Sequence, residues 1–386
     1  MHIAWLGKKS PFCGNVTYGR EVTNALLDRG HQVSFFHFAQ DEPSSQDWPD
    51  CAEVTIPFLY KSQVYTIPTP KSSKVLMESL RKLKPDIVHA SLTLSPLDFR
   101  LPEICQELDI PLMATFHTPF GGKSFNLKAQ TQFIPYQLYA PFLANYDRVV
   151  VFSYRQREIL IKLGVASENL VVIPNGVDSE KYCPGRSIYK PRFQAKRLFV
   201  YLGRIATEKN VEALLKGWKY AEMGDGAKLV IVGDGPLTSS LEPFYGESDG
   251  IIWLGAIADE QKRIDILRSA DAFVLPSLVE GLSLSLLEAM ACGTAILATD
   301  AGADGEVLED GAGIILSTQD VSSQLKILLP IMRDHPEMTE ILGQKARKRV
   351  LARYTLSQNI SHLERLYEDV LKQRQLYLSK KSLFPI

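Results

Sequence analysis

The strongest constraint on this 386-residue chain is an alternation: short apolar runs, each followed by a stretch of helical periodicity, recur along nearly its whole length. HIAWLG (2–7), QVSFFHF (32–38), DIVHA (86–90), PLMATFH (111–117), DRVVVFS (147–153) and NLVVIP (169–174) form one series. RLFVYLG (197–203), AKLVIVG (227–233), GIIWLG (250–255), DAFVLP (271–276), AILAT (295–299) and AGIILS (312–317) form another. Unbroken apolar strands between helices are the pattern of parallel sheets buried on both faces. The chain therefore reads as α/β, with two Rossmann-like, doubly wound domains. Between the series, residues 175–196 lose periodicity and gather Pro184, Gly185 and Pro191, the composition of an interdomain connection. This assigns 1–180 to a first domain and 181–355 to a second. Residues 356–386 read as a terminal helix long enough to return to the first domain. Ala39 to Pro70 reads as a long irregular region.

Composition narrows the function. A formal net charge of −1 argues against a generic nucleic-acid binder. Five scattered cysteines, with no C-x-x-C pair, point to neither a disulfide framework nor a zinc site. The chain opens on a strand pattern rather than an apolar leader, and no apolar run approaches the ~18 residues of a membrane span. The expectation is a cytoplasmic protein whose membrane contact, if any, is peripheral. One stretch departs from neutrality: between Tyr60 and Lys84, Lys61, Lys71, Lys74, Arg81, Lys82 and Lys84 face the single Glu78. With Phe58, Tyr60 and Tyr65 interleaved and a helical pattern through Val75, Leu76, Leu80 and Leu83, this is a basic amphipathic surface suited to anionic lipid, or equally a solvated helix face.

Chemistry concentrates in PSLVEGLSLSLLEAMACGTAILAT (276–299), where Glu280 and Glu288 bracket a small-residue loop that turns into a helix between two strand patterns. Loops at the carboxyl ends of parallel strands are where α/β domains bind ligands. Ser283 is placed to cap that helix, leaving the N–H groups of Leu284, Ser285 and Leu286 free to hold an anion such as a diphosphate. Glu288, one turn on, suits a ribose beside it, and Glu280 suits a sugar. The same residues also fit a helix merely solvated by its glutamates. GRIATEKN (203–210) puts Arg204 and Lys209 at the mouth of the same domain, as counter-charge for a diphosphate. Gly233, in VGDGP, marks a sharp turn at which backbone can approach a base or phosphate.

In the first domain, Gly14 lies in the loop after the first strand, where the absence of a side chain permits close approach. Gly7, Gly14 and Gly19 are too widely spaced for the dinucleotide fingerprint, which disfavours a dehydrogenase. His89 and His117 both close strand patterns, and His117 enters the loop HTPFGGK (117–123), a position for a ligand group or a structural one. The aromatic FIPYQLYAPFLANY (133–146) suits a core helix or an acceptor-facing one.

Taken together, EGLSLSLLEAMACGTAILAT (280–299), GRIATEKN, VGDGP (232–236) and VIPNGVD (172–178) resemble the family-4 retaining glycosyltransferases of the GT-B fold, over most of the chain. The resemblance implies two Rossmann-like domains facing across a cleft, with a UDP-sugar as donor substrate. It places Arg204 and Lys209 on the donor diphosphate, Glu288 on the ribose, Glu280 on the donor-sugar hydroxyls and His117 on the donor sugar near its reacting centre, with Gly14 giving close backbone approach. Where that family carries Gly-Phe-Gly after the first glutamate, this chain has Gly281-Leu282-Ser283, which puts the donor-sugar contact in question. GKKSPFCGNVTYGREVTNALLDRGHQVSFFHF (7–38) and HASLTLSPLDF (89–99) are similar to the cyanobacterial digalactosyldiacylglycerol synthases, which move galactose from UDP-galactose to a monogalactosyl lipid. Neither a cofactor nor a metal is expected, and no Asp-x-Asp triplet occurs. The expected chemistry is departure of UDP with front-face transfer to a lipid or other sugar acceptor. A UDP-sugar epimerase and a two-lobed sugar receptor are the rival readings.

Overall fold

The computed structural model describes residues 1–10, 13–38, 48, 50–62, 65–92, 94–121, 134–186 and 188–383. The chain divides into two compact units, Met1–Thr118 with Phe133–Asn175 and Leu356–Ile386, and Pro119–Gln132 with Gly176–Thr355.

The first unit is built on β1 (His2–Gly7), β2 (Gln32–His37), β3 (Ala52–Thr55), β6 (Ile87–Ser91), β7 (Leu112–Thr115), β9 (Arg148–Val151) and β10 (Leu170–Val172). They form a parallel sheet in the order β10-β9-β7-β6-β1-β2-β3. Trp5 on β1 faces Phe35 on β2 and His89 on β6 across the ladder, and all three are buried. Strand order reverses beside β1, so the loops after β1 and β6 open at the switch point where such sheets take ligands. Helix α1 (Gly14–Asp28) packs on β1 and β2, α3 (Pro96–Glu107) packs on β7, and α2 (Ser72–Leu83) packs on α3. Ser95 and Asp98 start α3 with a reciprocal capping box, and Pro96 sets its first turn.

The terminal helix Leu356–Leu383 packs in this unit. Glu364 on it pairs with Arg29 (2.5 Å) and His31 (2.8 Å), and Tyr367 is fully buried.

Three expectations need correction here. Ala39–Pro70 is not wholly irregular: it holds β3 and an antiparallel hairpin of β4 (Phe58–Lys61) and β5 (Thr66–Pro68), while residues 39–47 lie outside the described residues. These strands are short and largely exposed, so they lack the apolar run that marks a buried strand. Gly14 belongs to the first turn of α1 rather than to a loop, because buried Val16, Tyr18, Gly19, Val22 and Leu26 carry the helical register back past weak helix formers. His89 is interior to β6 rather than at its end.

The second unit has one six-stranded sheet in the order β13-β12-β11-β14-β16-β17. Its strands are β11 (Arg197–Leu202), β12 (Ala227–Val232), β13 (Ile251–Gly255), β14 (Ala272–Leu275), β16 (Ala295–Thr299) and β17 (Ile314–Leu316), all parallel. Phe199, Trp218 and Phe273 are fully buried around it. The order reverses between β11 and β14, so the loops after these two strands share one switch point. A short antiparallel pair, β8 (Phe120–Gly121) with β15 (Val279–Glu280), lies within this unit. Among the described residues, no helix is long and apolar enough to cross a membrane.

Candidate active site

The two loops at the second unit's switch point are sewn together. Leu278 N donates to Glu208 O (2.8 Å), Asn210 Nδ2 to Pro276 O (3.3 Å), and Lys209 Nζ to Glu280 Oε1 (2.5 Å). Glu280 is 7% exposed, and Ser277 Oγ donates to the same oxygen at 2.8 Å. Oε2 of Glu280 thus has no partner among the described residues, and a carboxylate oxygen in that state accepts hydroxyl protons. Lys209 carries three N–H donors, of which Glu280 occupies one. Arg204 pairs with Glu208, while Tyr201 O–H donates to Arg204 O (2.8 Å) and holds the loop.

Ser283 caps the helix Leu284–Ala291, its Oγ accepting from Leu286 N at 3.4 Å. This corrects the expectation of three free N–H groups: the cap takes Leu286, and Leu284 and Ser285 are left without N–H partners among the described residues. Ser283 N in turn donates to Asp304 Oδ1 (3.0 Å). Asp304 is buried, and burial followed by the charge of Glu280 raises its pKa well above the usual carboxylate range. Gly302 (φ +59°) brings the following loop so close that a Cβ would lie 2.2 Å from Glu280 O. Gly233 (φ +137°) is equally constrained, 1.9 Å from Gly203 O for an added Cβ. Glu288 is half-buried one turn into the helix, near enough to Tyr182 and Cys292 that its charge helps burial raise both.

In the first unit, His117 lies just beyond β7, with Nε2 2.7 Å from Ser91 Oγ; Ser91 Oγ donates to Asn15 Oδ1 at 2.8 Å. Burial and then the charge of Lys8 lower the His117 pKa to about 3, so the imidazole is neutral near pH 7. His89 behind it bridges Tyr367 Oη (2.6 Å) and Thr115 Oγ1 (2.8 Å), and burial lowers it to about 3 as well. At Gly14 an added Cβ meets nothing within 4 Å among the described residues, so the protein's own packing does not demand glycine there. Lys71, Lys74, Arg81 and Lys82 are all exposed on and beside α2. Gly122 and Lys123 of the HTPFGGK loop fall outside the described residues.

The structure thus joins Lys209, Glu280 and Ser283 in one cluster and sets Arg204 on the adjoining loop. Asp304, Ser277, Asn15 and Ser91 were missed from sequence. Their only signal was position, each standing at or just beyond the carboxyl end of a strand or at the start of the helix after it.

Two family models match the chain. Glycosyltransferase Family 4 covers residues 14–181, and Glycosyl transferases group 1 covers residues 189–349. Among curated relatives, the sulfoquinovosyl transferase SQD2 of Arabidopsis thaliana is 29% identical over 71% of this chain and 54% of its own length. The UDP-Gal:alpha-D-GlcNAc-diphosphoundecaprenol alpha-1,3-galactosyltransferase of Escherichia coli is 28% identical, over 78% and 80%. The alpha-monoglucosyldiacylglycerol synthase of Streptococcus pneumoniae is 26% identical, over 74% and 67%. Among solved structures, the sucrose-phosphate synthase of Thermosynechococcus elongatus matches with a TM-score of 0.75 at 21% identity, over 98% of this chain and 99% of that one, which shows the shared fold.

Proposed function

We propose that the chain, whose two halves match the Glycosyltransferase Family 4 and Glycosyl transferases group 1 models, is a retaining, metal-independent glycosyltransferase of GT-B fold moving a hexose from a UDP-sugar to a membrane glycolipid. UDP-galactose is the proposed donor, and monogalactosyldiacylglycerol, extended to its digalactosyl form, the proposed acceptor. The observation that carries the reading is the Lys209–Glu280 pair beside the Ser283-capped helix: among the described residues, a cation with spare donors, a carboxylate with a spare acceptor, and two backbone N–H groups without partners. As the bond between the anomeric carbon and the diphosphate oxygen breaks, negative charge grows on the phosphate. Arg204, Lys209 and the N–H groups of Leu284 and Ser285 are fixed positive groups that lower that barrier. The acceptor hydroxyl forms the new bond on the same face, and its proton passes to the departing phosphate oxygen. Glu280 Oε2 receives sugar hydroxyls, Glu288 the ribose, Gly233 and Ser285 the neighbouring nucleotide surface, and Gly14 lets backbone close on the donor.

Support for a lipid acceptor comes from the Escherichia coli and Streptococcus pneumoniae relatives, whose names carry a polyprenol-linked and a diacylglycerol-linked sugar. It also comes from the hairpin ahead of α2, where Leu59 is 69% and Tyr60 50% exposed next to the basic helix. A donor and acceptor screen reading out UDP release, run in chelator and including galactolipid vesicles, is the test. The expected result is chelator-insensitive UDP release that depends on glycolipid. Isomerisation of the donor without acceptor would overturn it in favour of an epimerase, and binding without any turnover in favour of a receptor.

A further inference from the structure

A neutral imidazole presents one donor and one acceptor, and the groups around His117 decide which nitrogen is which. Leu92 C=O can only accept, and Asn15 Nδ2 donates to it at 3.4 Å. The Asn15 amide is thereby oriented with Oδ1 toward Ser91, whose single hydroxyl proton goes to it at 2.8 Å. With that proton committed, Ser91 Oγ can only accept from His117 Nε2, 2.7 Å away. Tyr18 and Phe152 pack edge-on against the ring at centroid distances of 4.9 and 5.1 Å. Nδ1 is left with its lone pair and without a partner among the described residues.

We infer that Ser91 and Asn15 are positioning residues that fix His117 as its Nε2–H tautomer, so that Nδ1 accepts a hydrogen bond from a hydroxyl of the hexose being transferred. This rests on the donor-sugar reading of His117 above. The relay runs through the switch point of the first unit: Asn15 stands at the start of α1 after β1, Ser91 ends β6, and His117 follows β7.

The test is nitrogen NMR of the histidine-labelled full chain, as wild type, Ser91→Ala and Ser91→Thr, with and without UDP-galactose, alongside donor kinetics. Wild type should show His117 protonated at Nε2, with its Nδ1 signal shifting on addition of UDP-galactose. Ser91→Ala should release the tautomer and lower kcat/KM for the donor about tenfold, the loss of one oriented hydrogen bond; Ser91→Thr should restore both. A wild-type spectrum protonated at Nδ1, an unshifted Nδ1 in saturating UDP-galactose, or a Ser91→Ala variant with unchanged tautomer and kcat/KM overturns the inference. An Nε2–H spectrum without transfer from any UDP-hexose instead overturns the transferase reading, so the two failures are distinguishable.

Discussion

Glu280 puts both of its protein partners on a single oxygen, and that asymmetry sets what substitutions at the site should do. In Glu280→Gln the amide oxygen can still accept from Lys209 and Ser277, so the loops stay joined while the charge and the free carboxylate oxygen are lost. Transfer should fall at least about tenfold in a chain that still unfolds cooperatively; full activity would refute the sugar role. Lys209→Ala should also lower turnover by more than about tenfold, read as kcat with thermal unfolding in parallel, since removing one member of a buried pair strands the other. The glycines separate backbone need from ligand need. Gly233→Ala sets a Cβ against Gly203 O at positive φ and should destabilise by about 2–4 kcal/mol in denaturant titration. Gly14→Ala meets nothing in the described protein, so it should keep its stability and lose donor turnover.

Among the elements, the central strands carry a pH dependence. His89 on β6 and His117 after β7 both have pKa lowered to about 3 by burial, against about 6.5 in the unfolded chain. Below pH 6.5 the unfolded state binds protons that the folded state refuses, so stability is full above that pH and declines as pH falls toward 3. Urea midpoints should therefore drop between pH 7 and 5, before most carboxylates titrate; a flat profile would contradict the two neutral histidines. These core strands were legible as strands because burial on both faces leaves an unbroken apolar run. The short strands β3, β4 and β5 were not, since exposed faces erase that pattern. Nor does periodicity give strand order, and it is strand order that brings Lys209 and Glu280, 71 positions apart, into one ion pair. The helix start at Ser283 was legible because capping is local chemistry. Asp304, which holds Ser283 from the short helix after β16, was not, because an aspartate at a helix start looks like any turn or capping aspartate in sequence.

At the scale of the whole molecule, the last helix belongs to the first unit although the second intervenes in sequence. Tyr367 on it meets His89 in the core, so Tyr367→Phe leaves a buried ring nitrogen unpaired and should cost about 1–3 kcal/mol in chemical denaturation. The exposed cations of α2 with the apolar hairpin ahead of them make vesicle binding the corresponding surface test. Co-sedimentation with anionic lipid should weaken with salt and with neutralisation of Lys71, Lys74, Arg81 and Lys82, and binding indifferent to both would remove the membrane role. The central claim is tested most directly by transfer of labelled hexose from UDP-galactose into monogalactosyldiacylglycerol vesicles, in chelator, by the wild-type chain and Glu280→Gln. The account predicts lipid-borne label in α-linkage with wild type and about tenfold less with the variant; absence of lipid label with every UDP-hexose, or equal labelling by the variant, would contradict it.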